Sequence, residues 1–340
     1  MSESDADTNR QWHLASRPTG EPTMENFELV EADVPDPGPR EVLIESRYLS
    51  VDPYMRGRMR DAESYAEPWD VGEPMKAGVV GEVVESNHPR FEPGDVATGE
   101  LLWAEYATAD GDDLQPVDPD LAPVSTALGV LGMPGRTAYF GMLDVAEPKP
   151  GDTVLISGAA GAVGSVAGQI AKLNGCRVVG VAGAEEKIHW LTGELGFDDA
   201  INYEEEDNLY RAVAEACPEG IDVYYDNVGG EVTDAAFANL NEFSRVAVCG
   251  QISLYNATER PMGPRKLTTL VQKKARVEGF IVSDYAPHFG EATERLAGWV
   301  QSGDVQYKET VTEGFENMPD AFFGLFEGVN IGKQLVEVTD

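Results

Sequence analysis

Two hydrophobic rhythms divide the chain. From Gln11 to about Pro123 the apolar residues come in short runs, among them Val42–Ile44, Val79–Val84 and Val96–Thr98. Each run is closed by turn residues such as Pro37-Gly38-Pro39 or Pro93-Gly94-Asp95. This texture predicts strands in an antiparallel, barrel-like β domain. After about Ser125, strand-like runs alternate with longer stretches of helical period, which predicts βαβ units on a parallel sheet. A last alternating run, Gln334–Val338, is placed to rejoin the first domain. The expected fold class is α/β. A β-rich domain covers residues 11–125, completed by 305–340, and a doubly wound parallel-sheet domain covers 126–304. Residues 1–10, polar and acidic, read as a disordered tail.

Composition narrows the class of partner. Hydrophobic residues make up 42% and aromatics 9% of 340 residues, enough for one large core or two ordinary ones. Against 25 Lys and Arg stand 60 Asp and Glu, a formal net charge of −35. Nucleic acid and anionic membranes are polyanions, so neither is an expected partner. The acids fall 28 in residues 1–125, 25 in 126–304 and 7 in 305–340, which is a spread surface and not an acidic tail. Such a surface suits concentrated salt, where the Debye length shrinks to about 3 Å at 1 M. It points to a halophile's protein; the alternative is an unusually acidic mesophilic enzyme. The three cysteines, Cys176, Cys217 and Cys249, form neither a disulfide framework nor a metal pair, which fits a reducing cytoplasm. Residues 1–10 carry no apolar signal region, and the most apolar long run, 126–143, holds Arg136, Pro134 and four glycines. No membrane span is expected.

The strongest local signal runs from Asp152 to Ser165. A strand at Thr153–Ser157 leads into Gly158-Ala159-Ala160-Gly161-Ala162-Val163-Gly164, a helical stretch follows over Ser165–Asn174, and a second strand comes at Arg177–Val181. Glycines at this point let backbone N–H groups approach a pyrophosphate and let the helix pack close to the strand. The spacing is G-x-x-G-x-x-G, and its strand–helix–strand context points to a dinucleotide. An Asp or Glu at the end of the second strand would mark NAD, through the ribose 2′-hydroxyl. Here that strand ends in Ala182, Gly183 and Ala184, with Lys187 behind them. A neutral strand end followed by a cation favours NADPH, although Lys187 also reads as an ordinary surface base. Glu185 and Glu186 suit a helix N-terminus, where they complement the macrodipole.

With these residues in view, the chain resembles the zinc-independent medium-chain dehydrogenases/reductases. More narrowly, it is similar to the leukotriene B4 dehydrogenase/prostaglandin reductase and alkenal double-bond reductase group. The likeness runs through Val51-Asp52-Pro53-Tyr54-Met55-Arg56-Gly57-Arg58-Met59, Gly132-Met133-Pro134-Gly135 with Thr137-Ala138-Tyr139, and the glycine loop. It continues through Ala200-Ile201-Asn202-Tyr203, Asp226-Asn227-Val228-Gly229-Gly230, Cys249-Gly250-Gln251-Ile252-Ser253 with Tyr255-Asn256, and Asn330-Ile331-Gly332-Lys333. The resemblance implies a GroES-like barrel beside a Rossmann domain, commonly paired as a homodimer through the sheet edge. It implies that Lys187 and Tyr203 contact a 2′-phosphate near Gly183 and that Asn227 lines the dinucleotide groove. It also implies that Cys249, Gly250 and Ile252 lie beneath the nicotinamide half, that the backbone of Phe280, Ile281 and Val282 holds its amide, and that Asn330 touches cofactor. Taken alone, the Asn227–Gly230 stretch is only a turn, and Cys249 is a buried small hydrophobe.

The same resemblance implies the chemistry: hydride transfer from NADPH to the β-carbon of an α,β-unsaturated ketone or aldehyde. Negative charge then gathers on the carbonyl oxygen and asks for an aimed donor. By resemblance Tyr255 is the first candidate; Tyr54 is a second, its alternative role being packing beside Pro53 and Met55. Met133 shapes an apolar pocket, and no residue stands out as a required acid for the α-proton. Zinc is not expected, because no cysteine precedes Cys176 and His13, His88, His189 and His288 form no pair at metal spacing. Two alternatives stay open: an NADPH:quinone oxidoreductase, and a non-catalytic NADPH-binding protein on a reductase scaffold. A basic run, Arg260, Arg265, Lys266, Lys273, Lys274 and Arg276, suits cofactor phosphates, an anionic substrate, or salt bridges to the acidic surface.

Overall fold

A computed structural model of the chain describes residues 8–338, and within them the polypeptide divides into two compact units. The first takes the chain up to Leu128, then Thr310–Val329 and the residues from Gln334 onward. The second is Gly129–Glu309 with Asn330–Lys333, so a four-residue stretch near the end of the chain returns to it. The tail expected over residues 1–10 lies outside the described residues up to position 7. Residues 8–10 correct that expectation, because they open the first strand, β1 (Thr8–Leu14). Asn9 is buried there and exchanges two hydrogen bonds of 2.9 Å with the backbone of Tyr106, which a mobile tail does not do.

In the first unit, β1 pairs antiparallel with β2 (Phe27–Asp33). Five more strands follow: β3 (Glu41–Ser50), β4 (Lys76–Ser86), β5 (Val96–Leu102), β6 (Tyr106–Asp110) and β7 (Gln115–Pro116). The short runs bounded by Pro and Gly thus become an antiparallel sheet, organised on β3, which pairs with both β4 and β6. A bulge in β3 lets β4 approach so closely that a Cβ on Gly81 would collide with the carbonyl oxygen of Glu45. Aromatic residues fill the core: Phe27 stacks on Trp103 at 6.3 Å between centroids, and Trp12 Nε1 donates to the Phe315 carbonyl at 3.0 Å.

The second unit is built on β8 (Thr153–Ser157), β9 (Arg177–Ala182), β10 (Asp199–Asn202), β11 (Ile221–Asp226), β12 (Leu240–Val248) and β13 (Arg276–Gly279). Their order in the sheet is β10-β9-β8-β11-β12-β13, and every pair is parallel. All five residues of β8 are buried, as a central parallel strand covered on both faces requires. The helix Gly164–Leu173 follows β8 and lies close to its neighbours; Gly168 has no room for a Cβ beneath the Phe197 ring. Strand order reverses between β8 and β11, which opens a crevice at their carboxyl ends. Finally β14 (Glu309–Glu313) and β15 (Lys333–Glu337) extend the sheet of the first unit, with β15 antiparallel to β3. Among the described residues no helix is long and apolar enough to cross a membrane.

Candidate cofactor and active site

The crevice begins where β8 ends. Gly158 takes φ +59 immediately after Ser157, and the following turn is closed by Gly161 N–H on the Gly158 carbonyl at 3.1 Å. A Cβ on Gly164 would strike the Gly158 carbonyl and stand 2.8 Å from the Ala159 Cα, so only glycine lets the helix start against the loop. Gly161, Ala162 and Val163 are partly exposed, and the first amides of a ten-residue helix have no partner within it. A loop of glycines and small apolar residues leading into a helix N-terminus fits a pyrophosphate.

One end of the crevice is formed by β9 and β10. Gly183 is buried, and Ala184 follows at φ +66, an unusual conformation for a residue with a Cβ, at the start of the short helix Glu185–His189. Lys187 N–H bonds the Ala184 carbonyl at 3.2 Å, which ties the lysine to this loop. Partial burial holds its ammonium below the usual lysine value, while Glu204 and then Glu186 act in the opposite sense. Tyr203 N–H bonds the Ala182 carbonyl at 3.1 Å, so the backbones of Lys187 and Tyr203 are both bonded to the loop Ala182–Ala184.

The other end gathers around Asp226, a fully buried carboxylate at the tip of β11. Its Oδ1 accepts from Tyr224 Oη (2.9 Å), Ser157 Oγ (3.1 Å), Val228 N (3.1 Å) and Gly229 N (2.9 Å). Its Oδ2 accepts from Thr233 Oγ1 at 2.8 Å. Its backbone carbonyl accepts from Cys249 N and Gly250 N at 2.8 and 3.0 Å. One residue therefore fixes the end of β8, the loop after β11 and the loop after β12. Asn227 braces the same corner, its Nδ2 donating to the Ser157 carbonyl at 2.7 Å and its carbonyl accepting from Ile252 N at 3.3 Å. Neither Ser157 nor Asp226 stands out in the sequence as a site residue; the Asp226–Gly230 motif was the available signal, and it reads as a turn.

Tyr255 closes this corner. Gln251 N–H points to its phenol oxygen at 3.4 Å, and a Cβ on Gly250 would come within 3.0 Å of that oxygen. Burial raises the phenol above its ordinary value, which keeps the proton on oxygen at neutral pH. Cys249 is half-buried with its thiol turned to Tyr225, and desolvation pushes that thiol up to about 12, which leaves little thiolate at neutral pH. The Phe280 ring also packs on Tyr225, at 6.3 Å, beside Gly141, where no Cβ fits, and Ile281 and Val282 begin a 3-10 turn directly after β13. Asn330 sits at the returning stretch: its Nδ2 donates to the Gly332 carbonyl at 2.8 Å, and Gly332 N–H donates to the Ala160 carbonyl at 2.8 Å. Residues 330–333 are thereby pinned to the glycine loop from the far end of the chain.

Met133 begins the helix Met133–Phe140, where the Thr137 hydroxyl donates to its carbonyl at 2.7 Å. Tyr54 belongs to the first unit, at the start of the turn Met55–Arg58; burial first and Asp52 second push its phenol well above the ordinary range. Arg56 is buried beside it and donates to the Pro18 and Gly20 carbonyls at 3.3 and 2.7 Å. Among the described residues one group has metal-ligand spacing, His88 with Asp110 and Asp112. Arg40 already binds both His88 Nε2 and Asp112, so this donor set does not suit a cation. Three members of the basic run engage the acidic or aromatic surface. Lys274 pairs with Glu242 (2.7 Å), Arg276 with Glu147 (3.5 Å), and Lys266 lies over the Tyr210 ring at 5.2 Å.

Comparison with known proteins fits this geometry. Residues 10–117 match the family model described as the N-terminal domain of oxidoreductase, and residues 162–298 match that described as zinc-binding dehydrogenase. The chain is 48% identical over 335 residues to the NADPH-dependent curcumin reductase of Escherichia coli (strain K12), covering 97% of each. It is 45% identical over 333 residues to prostaglandin reductase 1 of Bos taurus, covering 96% of this chain and 98% of that protein. Among solved structures, CurA from Vibrio vulnificus in complex with NADPH superposes with a TM-score of 0.93 at 46% identity, over 97% of this chain and 99% of the other.

Proposed function

Because this chain belongs to the medium-chain dehydrogenase/reductase superfamily, alongside prostaglandin reductase 1 and curcumin reductase, we propose that it reduces the carbon–carbon double bond of α,β-unsaturated ketones and aldehydes. It is an NADP-dependent oxidoreductase with NADPH as its reductant. The observation that carries the enone assignment is the position of the Tyr255 phenol, set beside Gly250 and the Gln251 N–H at the β11–β12 end of the crevice.

When bound, NADPH supplies a hydride to the β-carbon of the enone. The glycine loop holds the pyrophosphate with its amides, Lys187 and Tyr203 hold the 2′-phosphate, and the loops braced by Asp226 hold the remainder. Tyr255 donates its O–H to the carbonyl oxygen as charge develops there, with Gln251 N–H polarising the phenol from behind. Tyr54, whose phenol also stays protonated, is a second donor by family likeness. The α-carbon takes its proton from water.

Two outcomes follow for the cofactor and substrate. Lys187→Ala should raise the Michaelis constant for NADPH roughly tenfold or more and that for NADH far less, since it removes a charge-assisted contact only the 2′-phosphate makes. An equal rise for both would remove Lys187 from that role. Oxidation of NADPH, followed at molar KCl with a 2-alkenal and with a quinone, tests the reaction itself. Faster turnover of the quinone would make this a quinone reductase, and none with either would make it a binding protein.

The protein's setting is part of the same proposal. The even surface charge of −35 supports a halophile's cytoplasm, where screening relieves self-repulsion. The melting temperature should therefore climb from dilute buffer to molar KCl, and full stability in dilute buffer would overturn this. A homodimer is supported by the edge strand β13, exposed at all four residues. Nearby along the chain, Met262 (88%), Leu267 (77%) and Val271 (79%) are exposed apolar side chains.

A further inference from the structure

A carboxylate lies where the sequence leaves the strand end neutral. After β10, Asn202 Oδ1 accepts from Glu204 N at 3.2 Å and the Asn202 carbonyl accepts from Glu205 N at 3.2 Å. This turn folds Glu204 back over the loop Ala182–Ala184. A Cβ on Gly183 would stand 2.5 Å from Glu204 Oε1 and 3.1 Å from Tyr203 Oη, so acid and phenol cover the same glycine. Glu204, like Glu186, acts to raise the Lys187 ammonium against the effect of its burial. Glu204 and Tyr203 thus cover Gly183, and the backbone of Lys187 is bonded to the next residue of the same loop, Ala184.

We propose that Glu204 is a cofactor-specificity residue, which competes with the 2′-phosphate of NADPH for Lys187 and accepts the 2′-hydroxyl of NADH. The proposal rests on Lys187 and Tyr203 forming the 2′-subsite. A carboxylate there repels a phosphate dianion yet suits a ribose hydroxyl, the arrangement that NAD readers use. Glu204 is exposed on a turn, so it can swing aside when the phosphate enters, and its effect is set by screening. Salt screens the Lys187 attraction as well, so the effect of Glu204 is read as the difference between Glu204→Gln and wild type, which should shrink as salt rises.

Isothermal titration of NADPH, NADH and 2′-AMP into wild type, Glu204→Gln and Lys187→Ala, at about 0.3 M and about 3 M KCl, tests this. Glu204→Gln should tighten NADPH and 2′-AMP about three- to tenfold at the lower salt, by less at the higher, and should weaken NADH. Unchanged or weaker NADPH binding in Glu204→Gln, with Lys187→Ala still selective against the phosphorylated ligands, overturns the role of Glu204 and leaves the subsite standing. If Lys187→Ala weakens NADPH and NADH equally, the subsite falls and Glu204 with it.

Discussion

Tyr255→Phe is expected to lower turnover of an enone about 10²–10³-fold while the dissociation constant for NADPH stays within about twofold. The substitution removes one O–H and keeps the ring, so the packing around Gly250 survives. The size of the effect comes from where charge appears. In the ground state the enone oxygen is a weak acceptor, whereas after hydride addition it is an enolate oxygen carrying negative charge. A donor aimed at that oxygen therefore acts in the transition state more than in the bound complex, and turnover and kcat/KM should fall together. Desolvation has already raised the phenol, so between pH 6 and 8 it is a donor and not a base. Unchanged turnover in Tyr255→Phe would take the residue out of the mechanism and leave Tyr54 as the donor to test.

The largest effect on stability belongs to Asp226→Ala, for which a loss of about 3–5 kcal/mol is expected. Six donors converge on this carboxylate: the hydroxyls of Tyr224, Ser157 and Thr233, the amides of Val228 and Gly229, and at 3.5 Å the side-chain amide of Gln251. Alanine leaves them facing a small buried gap, and each buried donor without a partner costs about 1–3 kcal/mol unless water enters. Because the same residue ties three crevice loops together, NADPH binding should weaken in parallel. Asp226→Asn, which retains one acceptor oxygen, should lose less on both measures. Chemical denaturation at constant high salt, paired with NADPH titration, reads both; a stability loss under about 1 kcal/mol would mean that the donors find other partners.

The shape of the glycine loop was legible because its signals are local. The strand Thr153–Ser157 is found where the apolar run placed it, and the helix begins one residue earlier than read, at Gly164. Glycine spacing is a statement about backbone conformation and close approach, and Gly158 and Gly164 meet it with a positive φ and with a collision that any Cβ would cause. The neutral strand end at Ala182–Ala184 was equally plain against so acidic a background. Its meaning was incomplete, since an acid twenty residues away, Glu204, folds back onto it. The polar start of the chain hides the first strand for a related reason: Asn9 is polar, but a partner 97 residues away, Tyr106, makes its burial favourable.

By itself the sequence determined the two-domain texture, the dinucleotide loop and the absence of a zinc-type cysteine set, because periodicity, glycine placement and residue inventory act over a few residues. Tertiary structure alone decided that Asp226 is a buried hub, that Gly332 closes on Ala160, and that Glu204 shares Gly183 with Tyr203. Each of these joins strand ends that lie far apart along the chain. A parallel sheet brings all its carboxyl ends to one edge, so its site is assembled by strand order, which no local pattern encodes.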